Sequence, residues 1–166
     1  MVTKQRFAQG MTFQEYLGQM TTNKDKFTEA LAAARVTPEE RAMFAGRHEK
    51  LNILVLTEDW CGDALTNFPA LARMVEGSPN VEMRVFLRDR NPDLMDQYLN
   101  RGLFRSIPVF VFFDGDMKEV ARFIERPPKI TEFMEQKQLE LRRQLRAEHA
   151  AEWQRAAVEE IRSLLG

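Results

Sequence analysis

Residues 51–56, Leu51-Asn52-Ile53-Leu54-Val55-Leu56, are a short and nearly continuous run of β-forming side chains. A run of that length without alternation predicts a strand buried on both faces, central in a sheet and paired in parallel. A polar turn, Thr57-Glu58-Asp59, follows it. The period then becomes helical from about Cys61 to Glu76, with Leu65, Phe68, Leu71, Ala72 and Val75 on the inner side. Pro69 falls inside that helix, where it removes a backbone hydrogen bond and predicts a kink.

The remaining elements follow from this unit. Residues 81–87 alternate apolar and polar and predict a second strand. Asn91-Pro92-Asp93 opens a short helix to about Asn100, which Gly102 ends. Residues 107–113 predict a third strand. Asp114-Gly115 signals a hairpin, and residues 118–124 return as an antiparallel fourth strand. Pro127-Pro128 breaks the chain, and residues 129–165 contain neither proline nor glycine and predict helix. At ~1.5 Å per residue one unbroken helix would reach roughly 50 Å, longer than a core of this size. It therefore breaks near Glu148, or lays part of its length on the N-terminal helices or on another subunit.

Ahead of the first strand, residues 1–11 read as a loosely held arm. Thr12 and Glu15 form a capping box, with Phe13, Tyr16, Leu17 and Met20 on one face. A second helix is predicted over residues 24–35, with Asn23 as its N-cap. Thr37-Pro38-Glu39-Glu40 opens a third. The order is three helices, then β-α-β-α-β-β-α. This predicts an α/β fold with parallel pairing, right-handed crossovers and an antiparallel edge. Residues 1–50 form a helical extension packed on the core, and residues 51–166 a domain with an extended C-terminal helix.

Bulk properties exclude several functions. A length of 166 residues suits one domain, and 44% hydrophobic with 30% charged residues is ordinary globular composition. Net charge is −1, without the basic footprint of a nucleic-acid binder. No apolar run approaches the ~20 residues of a membrane span. No apolar segment follows Lys4 and Arg6, so no secretory signal is expected. One cysteine excludes an internal disulfide and suits a reducing cytoplasm. His48 and His149 are far apart, so neither a metal nor a cofactor is expected.

The chemistry concentrates in Trp60-Cys61-Gly62-Asp63-Ala64, where the first strand hands over to its helix. Unpaired N–H groups at a helix start favour a thiolate, the attacking form in disulfide exchange. Glu58, Asp59 and Asp63 lie within three residues of Cys61 and oppose that effect, with no Lys or Arg as close in sequence. In an arbitrary protein a single cysteine is more often a small buried hydrophobe than a nucleophile, but this position at a helix start favours an accessible thiol. Ser106-Ile107-Pro108-Val109 leads into the third strand, where a proline need not donate to the ladder.

Trp60-Cys61-Gly62 followed by two residues resembles the thioredoxin active-site motif, Trp-Cys-Gly-Pro-Cys. Arg105-Ser106-Ile107-Pro108 is similar to the thioredoxin segment that carries a cis-proline beside that site. Asp63 makes the chain most similar to a bacterial branch with the motif Trp-Cys-Gly-Asp-Cys. The resemblance covers about residues 51–124 and the start of the last helix. It implies a thioredoxin-like fold with a four-stranded mixed sheet flanked by helices. It also implies Cys61 as nucleophile, and Trp60, Gly62, Asp63, Ile107 and Pro108 as the substrate groove. Partners would be protein or low-molecular-weight thiols and disulfides, and the chain a monomer or homodimer.

Two departures matter. Ala64 stands where the family has its resolving cysteine, and Val55 stands where thioredoxins have a buried aspartate six residues before the first cysteine. Cys61 then either forms mixed disulfides that another thiol resolves, or is oxidised as a sensor, or is a relic on a binding module. Whether the chain is an enzyme is left open by the sequence.

Overall fold

The structure, a computed structural model, describes residues 1–165. Four short helices come first: α1 (Lys4–Phe7), α2 (Phe13–Gln19), α3 (Lys24–Ala33) and α4 (Pro38–Ala45). They are followed by β1 (Leu51–Thr57), α5 (Gly62–Val75), β2 (Val81–Leu87), a 3-10 turn at Arg88–Arg90 and α6 (Pro92–Met95). The hairpin β3 (Val109–Phe113) and β4 (Glu119–Ile124) completes the first compact unit, Met1–Arg126.

The sheet is mixed, in the order β2-β1-β3-β4. β1 is central and all seven of its residues are buried. It pairs in parallel with β2, from Leu51 opposite Val81 to Thr57 opposite Leu87. The parallel expectation fails for β3, which pairs antiparallel with β1, Leu56 opposite Val109. The reason is connectivity. β2 leaves the sheet at Leu87, beside Thr57, and β3 re-enters at Val109, beside Leu56. The linker over residues 88–108 never returns to the far end of the sheet, so no crossover forms.

Strand alternation divides the core in two. Leu54, Leu56, Phe86, Val109 and Val111 face one layer, which also holds Leu94, Met95 and Ile107. Ile53, Val55, Val85 and Phe110 face the other, with Phe68, Leu71 and Val75 of α5. Phe68 is the hub of the second layer. Its ring centroid lies 5.5 Å from Phe13, 5.6 Å from Tyr16, 5.7 Å from Phe27 and 5.9 Å from Phe110. α5 runs on through Pro69, which is buried.

The N-terminal segment is not a loose arm. Val2 and Phe7 are buried in the first layer, whereas Tyr16, Met20 and Phe27 are buried in the second. Thr3 caps α1, and Arg6 reaches Asp93 at 2.9 Å and Asn91 at 2.7 Å. Met11 and Val85 exchange backbone hydrogen bonds of 2.9 and 2.8 Å, which extends the sheet beyond β2. Gly10 is required there, because a Cβ would come within 2.6 Å of the Phe86 ring. Periodicity missed this docking because it is made by isolated residues rather than by a stripe.

Local signals hold at several helix starts. Thr12 with Glu15, and Thr37 with Glu40, both form complete capping boxes. Asn23 occupies the N-cap of α3 but makes no side-chain cap. The helix expected as far as Asn100 ends at Met95 instead. Arg101 and Gly102 take positive φ values of 52° and 71°, which turns the chain back so that Phe104 pairs with Asn100.

Pro127–Gly166 is a second unit. It holds α7 (Pro128–Glu148) and α8 (Ala150–Leu165), interrupted at His149. The break falls beside Glu148, the first of the two alternatives that the length allowed, and the His149 N–H still donates to Leu145 O at 3.0 Å. Among the described residues no helix is long and apolar enough to cross a membrane.

Candidate functional site

Cys61 is the N-cap of α5, with extended backbone at φ −80° and ψ 120°. Its sulfur accepts from the Ala64 N–H at 3.4 Å and donates to the Ile107 carbonyl oxygen at 3.4 Å. The side chain is half-buried and packs on the Leu54 and Val109 layer. The sulfur thus joins the start of α5 to the segment entering β3. The Ile107–Pro108 peptide is cis. Ile107 and Pro108 are buried, Gly62 is exposed and Trp60 retains 48% exposure.

Two effects oppose each other at the thiol. Burial pushes its pKa up and is the larger, while the Ala64 and Asp63 N–H groups pull it down. The Asp63 charge raises it further and the Arg88 charge lowers it. The net direction is upward. Val55, at the place of the family's buried aspartate, is fully buried in β1 and offers no proton acceptor.

The three carboxylates that crowd Cys61 in sequence are each engaged by a donor from elsewhere in the chain. Asp59 Oδ2 accepts from the Thr21 and Thr22 N–H groups at 2.8 and 2.9 Å, and Asn23 Nδ2 donates to Asp59 O at 3.1 Å. Glu58 is buried and accepts from the Asp89 N–H at 2.8 Å. Asp63 accepts from Arg126 Nη2 at 2.7 Å. These side chains are clamps as much as charges. Asp59 and Glu58 fix the turn before Cys61 to the α2–α3 linker and to the 3-10 turn after β2, and Asp63 fixes the first turn of α5 to the corner after β4.

Four contributors escaped sequence reasoning. Arg88 lies over the Trp60 ring, 4.8 Å from its centroid, and donates to Arg105 O at 3.3 Å. Glu125 takes φ 64°, donates its N–H to Pro108 O at 2.7 Å, and accepts at its own carbonyl from Asn67 of α5 at 3.1 Å. Asn100 Nδ2 donates to Glu125 Oε2 at 2.7 Å and to Ser106 Oγ at 3.3 Å. Arg126 also pairs with Glu125. All four are distant from Cys61 in sequence, and no spacing signal marks them. The nearest hint was the polar Glu125-Arg126 pair between a strand and two prolines. Among the described residues, no cluster of His, Cys, Asp and Glu could hold a metal ion.

The sequence profile of a family described as Thioredoxin matches residues 10–140. No curated protein matches the chain in sequence. Among solved structures, a protein of unknown function from Pseudomonas aeruginosa is 22% identical, with a TM-score of 0.67 over 90% of this chain and 93% of that one. An HIV epitope-scaffold protein is 23% identical, with a TM-score of 0.62 over 75% of this chain and 78% of that one. The thioredoxin of Fasciola hepatica is 26% identical over 53% of this chain and 81% of its own, with a TM-score of 0.38. With the profile covering most of its length, the chain belongs to the thioredoxin family.

Proposed function

We propose that the protein carries out thiol–disulfide exchange through mixed disulfides, with Cys61 as its sole nucleophile. The observation that carries this reading is the placement of the sulfur at the N-cap of α5, bonded to Ala64 N–H and Ile107 O. The Cys61 thiolate attacks one sulfur of a disulfide. A Cys61–S–S–R bond forms, the old disulfide breaks, and the departing sulfur leaves as a thiolate that takes up a proton. A second thiol then attacks the mixed disulfide and restores Cys61, because Ala64 cannot. The raised thiol pKa leaves little thiolate at neutral pH, so the attack by Cys61, rather than its later resolution, sets turnover.

The motif reads as that of the bacterial branch with Trp-Cys-Gly-Asp-Cys, altered at Ala64. Trp60, Gly62, Asp63, Ile107 and Pro108 line the approach to the sulfur. Substrates are protein or low-molecular-weight disulfides in a reducing compartment such as the cytoplasm. Incubation with oxidised glutathione followed by intact-mass measurement tests this. One glutathione added at Cys61, removable by reduced glutathione, is the expected result. Absence of the adduct, while a control thiol of ordinary pKa is modified, overturns the reading.

The upward shift of the thiol favours a second reading, a binding module that keeps the fold without the exchange. It predicts that Cys61→Ser leaves capture of partner proteins unchanged. Exchange predicts that the same substitution abolishes every covalent complex.

A further inference from the structure

Arg126 follows β4 and is 65 residues from Cys61 in sequence, yet it closes the network around the sulfur. Its Nη2 donates to Asp63 Oδ2 at 2.7 Å, and Asp63 is in the first turn of the helix that Cys61 caps. Its neighbour Glu125 bonds in three directions, through its N–H to Pro108 O, through its carbonyl to Asn67 and through its carboxylate to Asn100. The two-residue corner therefore joins α5 to the segment that accepts the sulfur's own hydrogen bond. Arg126 is only 19% exposed in its side chain and Asp63 34%, so the pair is partly shielded from solvent. A charge-assisted bond in that setting outweighs one at an open surface.

The other charged and titratable groups around the sulfur come from three elements. Glu58 and Asp59 belong to the preceding turn and are held by Asp89 and by Thr21 and Thr22. Arg88 reaches in from the 3-10 turn, over Trp60. Tyr16 of α2 is fully buried in the second core layer and is neutral at physiological pH. Of the carboxylates, Asp63 alone sits on the helix of Cys61, and Arg126 is its side-chain partner.

We propose that Arg126 is a positioning residue for Cys61, which anchors and neutralises the Asp63 carboxylate so that a thiolate can form beside it, and which holds the sulfur's helix against the Pro108 segment. The inference deepens the exchange reading and rests on it for its biological meaning. It does not depend on exchange for its test, because alkylation by iodoacetamide needs only the thiolate. The sulfur bonds to the reagent's carbon and iodide leaves.

The test is the pH–rate profile of Cys61 alkylation in the full chain for wild type, Arg126→Gln, Arg126→Lys, Asp63→Asn and the double variant Asp63→Asn/Arg126→Gln. Arg126→Gln leaves Asp63 uncompensated and slows alkylation about three- to tenfold at neutral pH, since one pKa unit corresponds to tenfold in thiolate. Arg126→Lys recovers most of that rate. Asp63→Asn alone speeds alkylation, and in its background Arg126→Gln no longer produces the slowing. An unchanged profile in Arg126→Gln, a lysine variant that recovers nothing, or equal slowing in both backgrounds overturns the proposal. Should Arg126→Gln fail to fold, Asp63→Asn against wild type decides, and an unchanged rate there overturns it. A chain that alkylates as expected but never takes up glutathione overturns the exchange reading and leaves the role of Arg126 standing.

Discussion

The Cys61 sulfur donates to the Ile107 carbonyl oxygen at 3.4 Å, so the one thiol of the chain is tied to the residue just before Pro108. That bond favours the protonated sulfur, because a thiolate cannot donate. It acts in the same direction as burial, which dominates the thiol's upward shift. The alkylation rate of wild-type Cys61 should therefore climb with pH through a midpoint above about 8.5, the ordinary cysteine value. Stopped alkylation followed by intact mass measures it. A midpoint near pH 5 would show that the helix start controls the sulfur after all.

Ala64 is 1% exposed and its N–H lies 3.4 Å from the Cys61 sulfur, so position 64 faces the thiol from one helical turn away. Ala64→Cys is expected to form an internal disulfide on mild oxidation, seen as the loss of two hydrogens and of all free thiol. It should also let the chain release a bound protein as its free thiol in one visit, without a second thiol from outside. A variant that keeps both thiols free under oxidant speaks against this geometry.

Glu58 is buried, and burial raises its carboxyl pKa despite the opposing Asp89 N–H. A raised folded-state pKa means that the native state prefers the protonated acid. That preference stabilises the fold below the unfolded value of about 4.3 and is lost as pH rises through the folded value. At neutral pH the charge is a burden. Glu58→Gln, which can still accept from Asp89, should melt higher than wild type at pH 7, and the difference should vanish toward pH 4. Equal melting temperatures at both pH values would contradict the assignment.

Asp59 carries two N–H groups of the α2–α3 linker on one carboxylate oxygen. Asp59→Ala leaves both donors to solvent and frees the turn before Cys61. Because the bonds are exposed, the expected loss is about 1–2 kcal/mol by denaturant titration. Faster alkylation of Cys61 should accompany it, as the turn loosens.

Phe68 is fully buried and touches rings from α2, α3 and β3. Phe68→Ala should cost about 3–5 kcal/mol. The loss should appear as one transition for β1, α2 and α3 together, monitored by hydrogen exchange. Independent melting of the N-terminal helices would refute a shared core.

Much of this molecule follows from local chemistry. The apolar run over residues 51–56 could be satisfied only inside a sheet, and Thr12 with Glu15 could satisfy a helix start without help from elsewhere. Cys61 needed only its own neighbours to become an N-cap, and the missing family cysteine is visible in the letter at position 64. Those features depend on contacts a few residues apart, which a sequence displays directly.

What surrounds the thiol does not. Glu58, Asp59 and Asp63 read as uncompensated charge along the chain, yet Asp89, Thr21, Thr22 and Arg126 meet them in space. The direction of β3 likewise depended on which end of the sheet the linker over residues 88–108 occupies. The strands, the starts of α2 and α4 and the sulfur at the head of α5 are legible in the letters, because periodicity and capping are short-range, whereas α1 is not. Which charges the sulfur faces emerges from the folded chain, because pairing across dozens of residues is set by sheet order and core packing and leaves no periodic trace.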